Sequence, residues 1–277
     1  MNRLKGQGTF SNRLSIRAAE PGEVGIENPS KLSLPINFLI PMTCDRISGM
    51  AMGIGTIIEL RLEPDGLSAQ IACPSNLHPA PGQYLAASSP SSTDPLPVVL
   101  YPIGKTGDDL MVAAPLAADW HAGMNLSLRG PLGRGFNMPV SARRVALTAF
   151  DKPPSRLLPL ADQALRQGAS VAVYAGRTPA GLPPEVEVLP VDLLPEAPTW
   201  ADFMALDVDA ASLPGLRSLL GLKPYQRPPC TIQALIAAPM PCTGLAECGV
   251  CAVATRSGWM LACSDGPVFD FNELEGT

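Results

Sequence analysis

The stretch from Cys242 to Cys263 reads CTGLAECGVCAVATRSGWMLAC and holds four of the seven cysteines in the 277-residue chain. Their spacing is Cys-x5-Cys-x2-Cys-x11-Cys. Gly244 and Gly249 lie between them, and a residue without a Cβ lets its backbone amide approach a bound group closely. Four thiols at this spacing predict a single ligand set near the C-terminus.

An iron–sulfur cluster is the leading interpretation of this set. The spacing is one residue longer in its first gap than the Cys-x4-Cys-x2-Cys…Cys pattern of plant-type 2Fe-2S proteins, in which each iron takes two thiolates. The predicted ligands are Cys242, Cys248, Cys251 and Cys263. A structural zinc site is an alternative, although zinc ribbons usually carry two Cys-x2-Cys knuckles and this chain has one. Disulfides or inert thiols are a further alternative.

The last cysteine can be placed by counting along a predicted hairpin. If Ser257 and Gly258 form a two-residue turn, Ala252 pairs with Cys263, which then lies beside Cys251. The hypothesis therefore brings the isolated fourth cysteine to the other three.

The residues around these cysteines resemble a known family. The run CSDGPVF at 263–269, together with CGVC at 248–251, is similar to the C-terminal cluster-binding segment of the electron-transfer subunit of B-type dihydroorotate dehydrogenases. That family belongs to the ferredoxin-reductase superfamily. The resemblance implies a flavin-binding β-barrel, then a nicotinamide-binding α/β domain, then the 2Fe-2S segment.

The pattern along the chain agrees with a β-barrel plus α/β architecture of the ferredoxin-reductase type. We expect an antiparallel barrel over 49–141, an α/β domain over 142–238 and the cluster segment over 239–277. Residues 1–48 have no counterpart in the resemblance, and they either wrap a partner subunit or form a disordered tail.

Short apolar runs between Gly, Pro and Asp turns predict the strands of the barrel. These are Gly55–Leu62, Leu67–Cys73, Tyr84–Ala87, Val98–Tyr101, Leu110–Ala113 and Met124–Leu128. Alternating strand and helix patterns predict a parallel sheet in the next domain. Its expected strands are Val145–Phe150, Val171–Tyr174, Val186–Leu189 and Thr231–Ala238, and its expected helices are Arg156–Gln167 and Leu213–Leu222.

Two barrel motifs match the family, but its flavin motif is broken. PGQY at 81–84 resembles the family's Pro-Gly-Gln-Phe, and GPLGRGF at 130–136 resembles its Gly-Pro-Leu-Gly-x-Gly-Phe. The family's Arg-Pro-x-Ser is replaced by PLPVVL at 95–100, so the cationic fork and the hydroxyl are missing. FAD binding is therefore expected to be compromised. Gly104, Lys105 and Thr106 are the remaining candidates for an FAD phosphate contact, or they form only a hairpin.

The nicotinamide site is expected to be lost. In the family, the first α/β strand leads into a glycine-rich loop whose amides bind the dinucleotide phosphates. Here the loop reads DKPPS at 151–155, with two prolines that lack an N–H and an acidic residue that repels phosphate.

Composition limits the possible partners. The net charge is −5, without basic runs, so neither nucleic acid nor an anionic membrane is indicated. No apolar span of about 20 residues and no signal-peptide pattern occurs, so we expect a cytoplasmic protein without membrane insertion. Charged residues make up 16%, against about 25% in typical proteins, which fits a surface covered by other redox subunits.

No other catalytic constellation is predicted. His78 and His121 share no metal-ligand spacing, and Cys44, Cys73 and Cys230 are expected to be inert thiols. The sequence predicts an electron-transfer subunit of a multi-subunit oxidoreductase that is not catalytic alone. The alternatives are an FAD-dependent NAD(P)H reductase subunit serving a dihydroorotate-dehydrogenase-like partner, and a zinc-bearing structural subunit.

Overall fold

The computed structural model describes residues 50–113, 115–150 and 152–274. The predicted arm over 1–48, with Cys44, lies outside the described residues, and so does Asp151 of the predicted phosphate loop. Among the described residues, no helix has the length and apolar character to cross a membrane.

The first layer is a curled antiparallel sheet in the order β4-β3-β7-β1-β2-β6-β5. Its strands are β1 Ala51–Glu63, β2 Gly66–Ala72, β3 Tyr84–Ser88, β4 Val98–Leu100, β5 Pro102–Thr106, β6 Asp109–Ala113 and β7 Asn125–Leu132. Inward side chains such as Ile57, Ile71 and Leu126 are fully buried and form the core of this layer. The alternation of buried and exposed positions in β7 is typical of a strand with one face toward a core.

The second layer is an α/β sheet in the order β10-β9-β8-β11-β12-β15, where β15 is Val268–Asp270. Its parallel strands are β8 Arg144–Ala149, β9 Ser170–Tyr174, β10 Glu187–Leu189, β11 Phe203–Asp209 and β12 Thr231–Ala237. The helices are α1 Leu158–Arg166, α2 Ala197–Trp200 and α3 Leu216–Leu219, with 3-10 turns that include Pro154–Leu157. Together with the first layer, this sheet confirms the predicted fold class.

The structure corrects the predicted α/β elements in two places. The sequence prediction contains no strand between Leu189 and Thr231, yet β11 lies there, in the middle of the sheet between β8 and β12. An aspartate, Asp207, interrupts its apolar run, and a charge inside a buried strand conceals the pattern. The helix expected over Leu213–Leu222 is only the single turn α3, which follows Gly215 in the left-handed region.

The cluster segment adds a hairpin and one more strand to the sheet. The hairpin pairs β13 Ala252–Thr255 with β14 Gly258–Leu261, and β15 Val268–Asp270 runs antiparallel to β12. Thr255 pairs with Gly258, so the turn is Arg256-Ser257, and the predicted register is wrong by two residues. Ala262, not Cys263, lies opposite Cys251, to whose carbonyl its amide donates at 2.9 Å. The expected proximity of Cys263 to Cys251 is nevertheless present, because Cys263 follows Ala262 directly.

Candidate metal centre

A tightly turned loop follows β12 and carries the first three predicted ligands. Thr243, Gly244, Ala246 and Gly249 all have positive φ, at 44°, 93°, 60° and 68°. Left-handed residues so close together turn successive backbone amides toward a common centre, as in anion-binding nests. The close backbone approach was predicted at Gly244 and Gly249, whereas the positive φ of Thr243 and Ala246 was not predicted from the sequence.

The amides of this loop point at the sulfur of Cys242. Burial opposes ionisation of the Cys242 thiol, but hydrogen bonds from the Cys248 side chain and from the amides of Cys248, Glu247 and Ala246 outweigh it. The pKa of Cys242 falls to about 6 as a result. A sulfur surrounded by amide donors is stabilised as a thiolate, the form that binds iron.

The four predicted ligands form two pairs. The Sγ atoms of Cys242 and Cys248 are 3.4 Å apart, and Cys248 is exposed. Cys251 and Cys263 are buried and share a side-chain hydrogen bond. Burial, followed by the Cys251 thiol, raises the pKa of Cys263 to about 12. One thiol pair thus lies at the surface and the other beneath it.

This donor set fits an iron–sulfur cluster. Each iron of a 2Fe-2S cluster takes two thiolates, which the Cys242–Cys248 and Cys251–Cys263 pairs would supply. A tetrahedral zinc ion would instead need all four sulfurs at about 2.3 Å from one point. Across the described residues, no three Cys, His, Asp or Glu side chains converge closely enough to hold a single metal ion.

Two residues of the antiparallel barrel donate hydrogen bonds to the cluster segment. Tyr84 of β3 donates its hydroxyl to the carbonyl of Cys263 at 2.9 Å. Arg129 of β7 donates to the carbonyl of Thr243 at 2.5 Å and to its Oγ1 at 3.1 Å. Burial, followed by the neighbouring Cys263 thiol, raises the pKa of Tyr84, so its hydroxyl stays protonated. The contacts of Tyr84 and Arg129 with this loop were not predicted from the sequence, since neither residue is a metal ligand type.

The glycines of the two barrel motifs pack against the cluster segment. A Cβ on Gly82 would lie 2.6 Å from Cγ2 of Val268, and one on Gly133 would lie 2.6 Å from Cδ of Pro267. The amide of Arg134 donates to the carbonyl of Gly266 at 2.5 Å. In this chain the two motifs therefore form the surface on which the cluster segment lies.

The remaining histidines and cysteines do not join the site. Cys73 packs against the barrel core and Cys230 against the α/β core, and burial raises the pKa of both thiols, that of Cys230 to about 11. His121 is exposed, and its Nδ1 lies 3.0 Å from the carbonyl of Ala122. His78 is partly buried next to the 3-10 turn Ser75–Leu77.

A crevice of about 310 Å³ opens where the parallel strands end, beside the barrel. Its cations are paired with carboxylates of the same chain. Arg156 binds the fully buried Asp207, with Nε–Oδ2 at 2.8 Å, and its guanidinium stacks 4.8 Å from the ring centre of Tyr101. Lys152 binds Asp209 and lies 3.7 Å from Asp207.

A neighbouring contact bridges the two sheets across this edge. Asp65, in the turn between β1 and β2, binds Arg177 at 2.6 Å and accepts the amide of Ala180 at 2.8 Å. Arg177 also donates to the carbonyl of Pro64 at 3.0 Å. The barrel therefore contacts the loop that follows β9, which lies at the carboxyl edge of the parallel sheet.

The three candidates for an FAD contact lie on an edge strand. Gly104, Lys105 and Thr106 belong to β5, whose partner is β6, with Thr106 opposite Asp109. Lys105 and Thr106 are exposed, and β5 lies at the end of the sheet order.

Comparison with known proteins finds a family match for the C-terminal segment and similar folds among solved structures. Residues 240–275 match the family model described as the iron-sulfur cluster binding domain of dihydroorotate dehydrogenase B. Among solved structures, an NADH-dependent reduced ferredoxin-NADP oxidoreductase is similar in fold, with a TM-score of 0.62, 16% identity, and coverage of 80% of this chain and 90% of that chain.

A ferredoxin NADP+ reductase from Neisseria gonorrhoeae, solved with bound FAD and NADP, has a TM-score of 0.47, 12% identity, and coverage of 67% of this chain and 98% of that chain. The fold assignment rests on the first of these two structures. No curated protein matches the chain.

Proposed function

We propose that this chain, whose C-terminal segment is an iron–sulfur cluster-binding domain of the dihydroorotate dehydrogenase B type on a ferredoxin-reductase-like fold, is the electron-transfer subunit of a multi-subunit oxidoreductase. The observation that carries the proposal is the pairing of Cys242 with Cys248 and of Cys251 with Cys263 in the matched segment. A 2Fe-2S cluster held by these four residues would supply one-electron transfer.

The exposure of the four cysteines indicates which side of the site faces outward. Cys248 is exposed while Cys251 and Cys263 are 1% and 3% exposed, so the Cys242–Cys248 pair is the one that faces outward. Leu245 and Val250, on either side of Cys248, are 55% and 54% exposed. An outward thiol pair with an apolar rim suits close approach by a redox partner, and we expect a catalytic partner subunit there.

The crevice residues do not fit a nicotinamide dinucleotide. Its two cations, Lys152 and Arg156, are both engaged by Asp209 and Asp207. Pro153 and Pro154 lack the N–H groups that would bind a pyrophosphate. A phosphate placed here would meet the Asp209 carboxylate and no free donor from these positions, so we propose that NAD(P) does not bind.

The fit to FAD is also poor. The stretch 95–100 offers neither a guanidinium nor a hydroxyl, and the guanidinium of Arg156 covers the face of the Tyr101 ring. Lys105 and Thr106 lie on an exposed edge strand instead. We therefore propose that the cluster is the resident redox group and that the chain does not complete a reaction alone.

Substitution of the cluster cysteines tests the proposal. Cys248→Ser and Cys251→Ser each remove one member of a different thiol pair, and both variants should lose the bound iron and acid-labile sulfide after anaerobic purification. Cys73→Ser and Cys230→Ser are matched controls, because these thiols lie outside the loop, and they should keep wild-type iron and sulfide. Stoichiometric iron and sulfide in both loop variants would overturn the proposal, as would zinc without iron in the unsubstituted protein.

A further inference from the structure

We propose that Tyr84 of the barrel is a positioning residue for the cluster: it holds the turn that carries Cys263 in place and raises the reduction potential of the bound cluster. The inference rests on the proposed function and adds a control element outside the cluster segment. It assigns to the barrel a role other than flavin binding.

The contact joins distant parts of the chain. Tyr84 begins β3, and its hydroxyl donates to the backbone carbonyl of Cys263 at 2.9 Å, across 179 residues of sequence. Tyr84 is fully buried and Cys263 is 3% exposed, so water does not compete for this hydrogen bond. A buried hydrogen bond is expensive to leave unmade, which makes this contact specific.

Close packing on two sides fixes the position of the tyrosine. A Cβ on Gly244 would lie 2.9 Å from the Tyr84 hydroxyl, and a Cβ on Gly133 would lie 3.0 Å from its Cε1. The ring also packs against Tyr101, with 5.9 Å between ring centres. Since both glycines leave room for this side chain, the cluster loop and the barrel end are shaped around it.

The electrostatic consequence has a definite sign. The Tyr84 hydroxyl donates to the Cys263 carbonyl, so its hydrogen, the positive end of the O–H dipole, points toward Cys263. Reduction adds negative charge to a cluster, and a nearby fixed donor in a low-dielectric interior stabilises that charge. Hydrogen bonding around a cluster is one of the factors that set its potential. Loss of the hydroxyl should therefore lower the midpoint potential.

The chain offers a matched control in Tyr101. Its ring is also buried, at 7% exposure, and lies beside Tyr84, but among the described residues its hydroxyl has no hydrogen-bond partner. Tyr84→Phe and Tyr101→Phe thus remove the same atom from neighbouring buried rings. Only the first removes a bond to the cluster segment.

The experiment compares the midpoint potentials of anaerobically purified wild type, Y84F and Y101F by EPR-monitored redox titration. We expect all three to contain stoichiometric iron and sulfide, Y84F to show a more negative potential and altered EPR g-values, and Y101F to match wild type. Equal potentials in Y84F and wild type would overturn the inference, and so would an equal shift in Y101F. A wild-type protein without iron and sulfide would instead overturn the proposed function.

A second measurement does not depend on the folding of Y84F. In a Y101F/Y174F/Y225F variant grown with ring-deuterated tyrosine, Tyr84 is the only labelled residue, and pulsed EPR of the reduced cluster should detect deuterium couplings from it. Absence of such couplings would place the tyrosine away from the cluster and contradict the inference.

Discussion

At the scale of single residues, small side chains decide how closely the barrel and the cluster segment approach each other. Gly133 has a φ of 72°, and a Cβ there would lie 2.6 Å from Cδ of Pro267 and 2.8 Å from the carbonyl oxygen of Gly266. Gly168 lies two residues after the end of α1 and has nearly the same φ of 74°. A Cβ added there would have nothing within 4 Å. The two glycines therefore share a backbone requirement and differ in packing.

This pair gives a prediction that separates backbone strain from contact. Gly168→Ala should cost about 1–2 kcal/mol in the free energy of unfolding, the usual penalty for a left-handed alanine. Gly133→Ala should cost more, because it adds a clash with backbone and a rigid proline ring to the same strain. Chemical denaturation of both variants, monitored by circular dichroism, measures the difference. Equal losses would show that the barrel end does not pack tightly on residues 266–267.

A buried charged residue in the α/β layer is also explained by its immediate neighbours. Asp207 is fully buried and lies within bonding distance of Arg156, which itself stacks on Tyr101. A buried charge is tolerated only when it is paired and hydrogen-bonded. The pair explains how β11 accommodates an aspartate at the centre of a parallel sheet, and it explains why the crevice lacks a free cation from Arg156.

At the scale of elements, β15 is the strand that fastens the cluster segment to the α/β sheet. It pairs antiparallel with β12, with Phe269 opposite Ala234. Phe269 is 3% exposed and belongs to the same core cluster as Cys251 and Cys263. The last predicted ligand, Cys263, is thus followed within six residues by a buried anchor.

Removal of that anchor should destabilise the sheet. Phe269→Ala is expected to lower the free energy of unfolding by about 3–5 kcal/mol, the usual cost of deleting a buried phenyl ring. Trp259→Ala is the control from the same segment, because Trp259 is 77% exposed, and it should leave stability nearly unchanged. Thermal unfolding of the cluster-free proteins measures both. A small effect of Phe269→Ala would mean that β15 is not part of the cooperative core.

At the scale of the whole molecule, the two layers have a ferredoxin-reductase-like fold, and the cations of the crevice beside the barrel are paired with carboxylates of the same chain. The turn after β1 contacts the loop after β9 through Asp65 and Arg177, and the cations Lys152 and Arg156 are neutralised within the chain. A fold of this kind supports several functions, so the site residues decide which one applies.

This arrangement predicts how electrons enter the protein. Dithionite should bleach the visible absorbance of the anaerobically purified protein, whereas NADH and NADPH should not, because Lys152 and Arg156 are paired with Asp209 and Asp207, and Pro153 and Pro154 lack the N–H groups that bind a pyrophosphate. Denaturation of the same sample should release no flavin. Reduction by either nucleotide, or release of stoichiometric FAD, would instead support the alternative in which the chain is an FAD-dependent NAD(P)H reductase subunit.

The sequence by itself determined the fold class and the order of the layers, and it predicted which cysteines would be ligands. Cysteine spacing is a local property, and strand patterns of period two are visible without tertiary contacts, so the cluster loop and most barrel strands could be predicted. The hairpin register could not be counted reliably, because the turn falls at Arg256-Ser257, one residue earlier than the Ser257-Gly258 that turn preference suggests.

Only the tertiary structure decided which residues surround the candidate cluster site and which carboxylates pair with the cations of the crevice. The bond from Tyr84 to Cys263 spans 179 residues, and the pairs of Arg156 and Lys152 with Asp207 and Asp209 join a loop to the end of β11. Such contacts depend on which strands become neighbours, and no local propensity encodes that. The central strand β11 was missed for the same reason, since its aspartate becomes compatible with burial only when Arg156 is brought beside it.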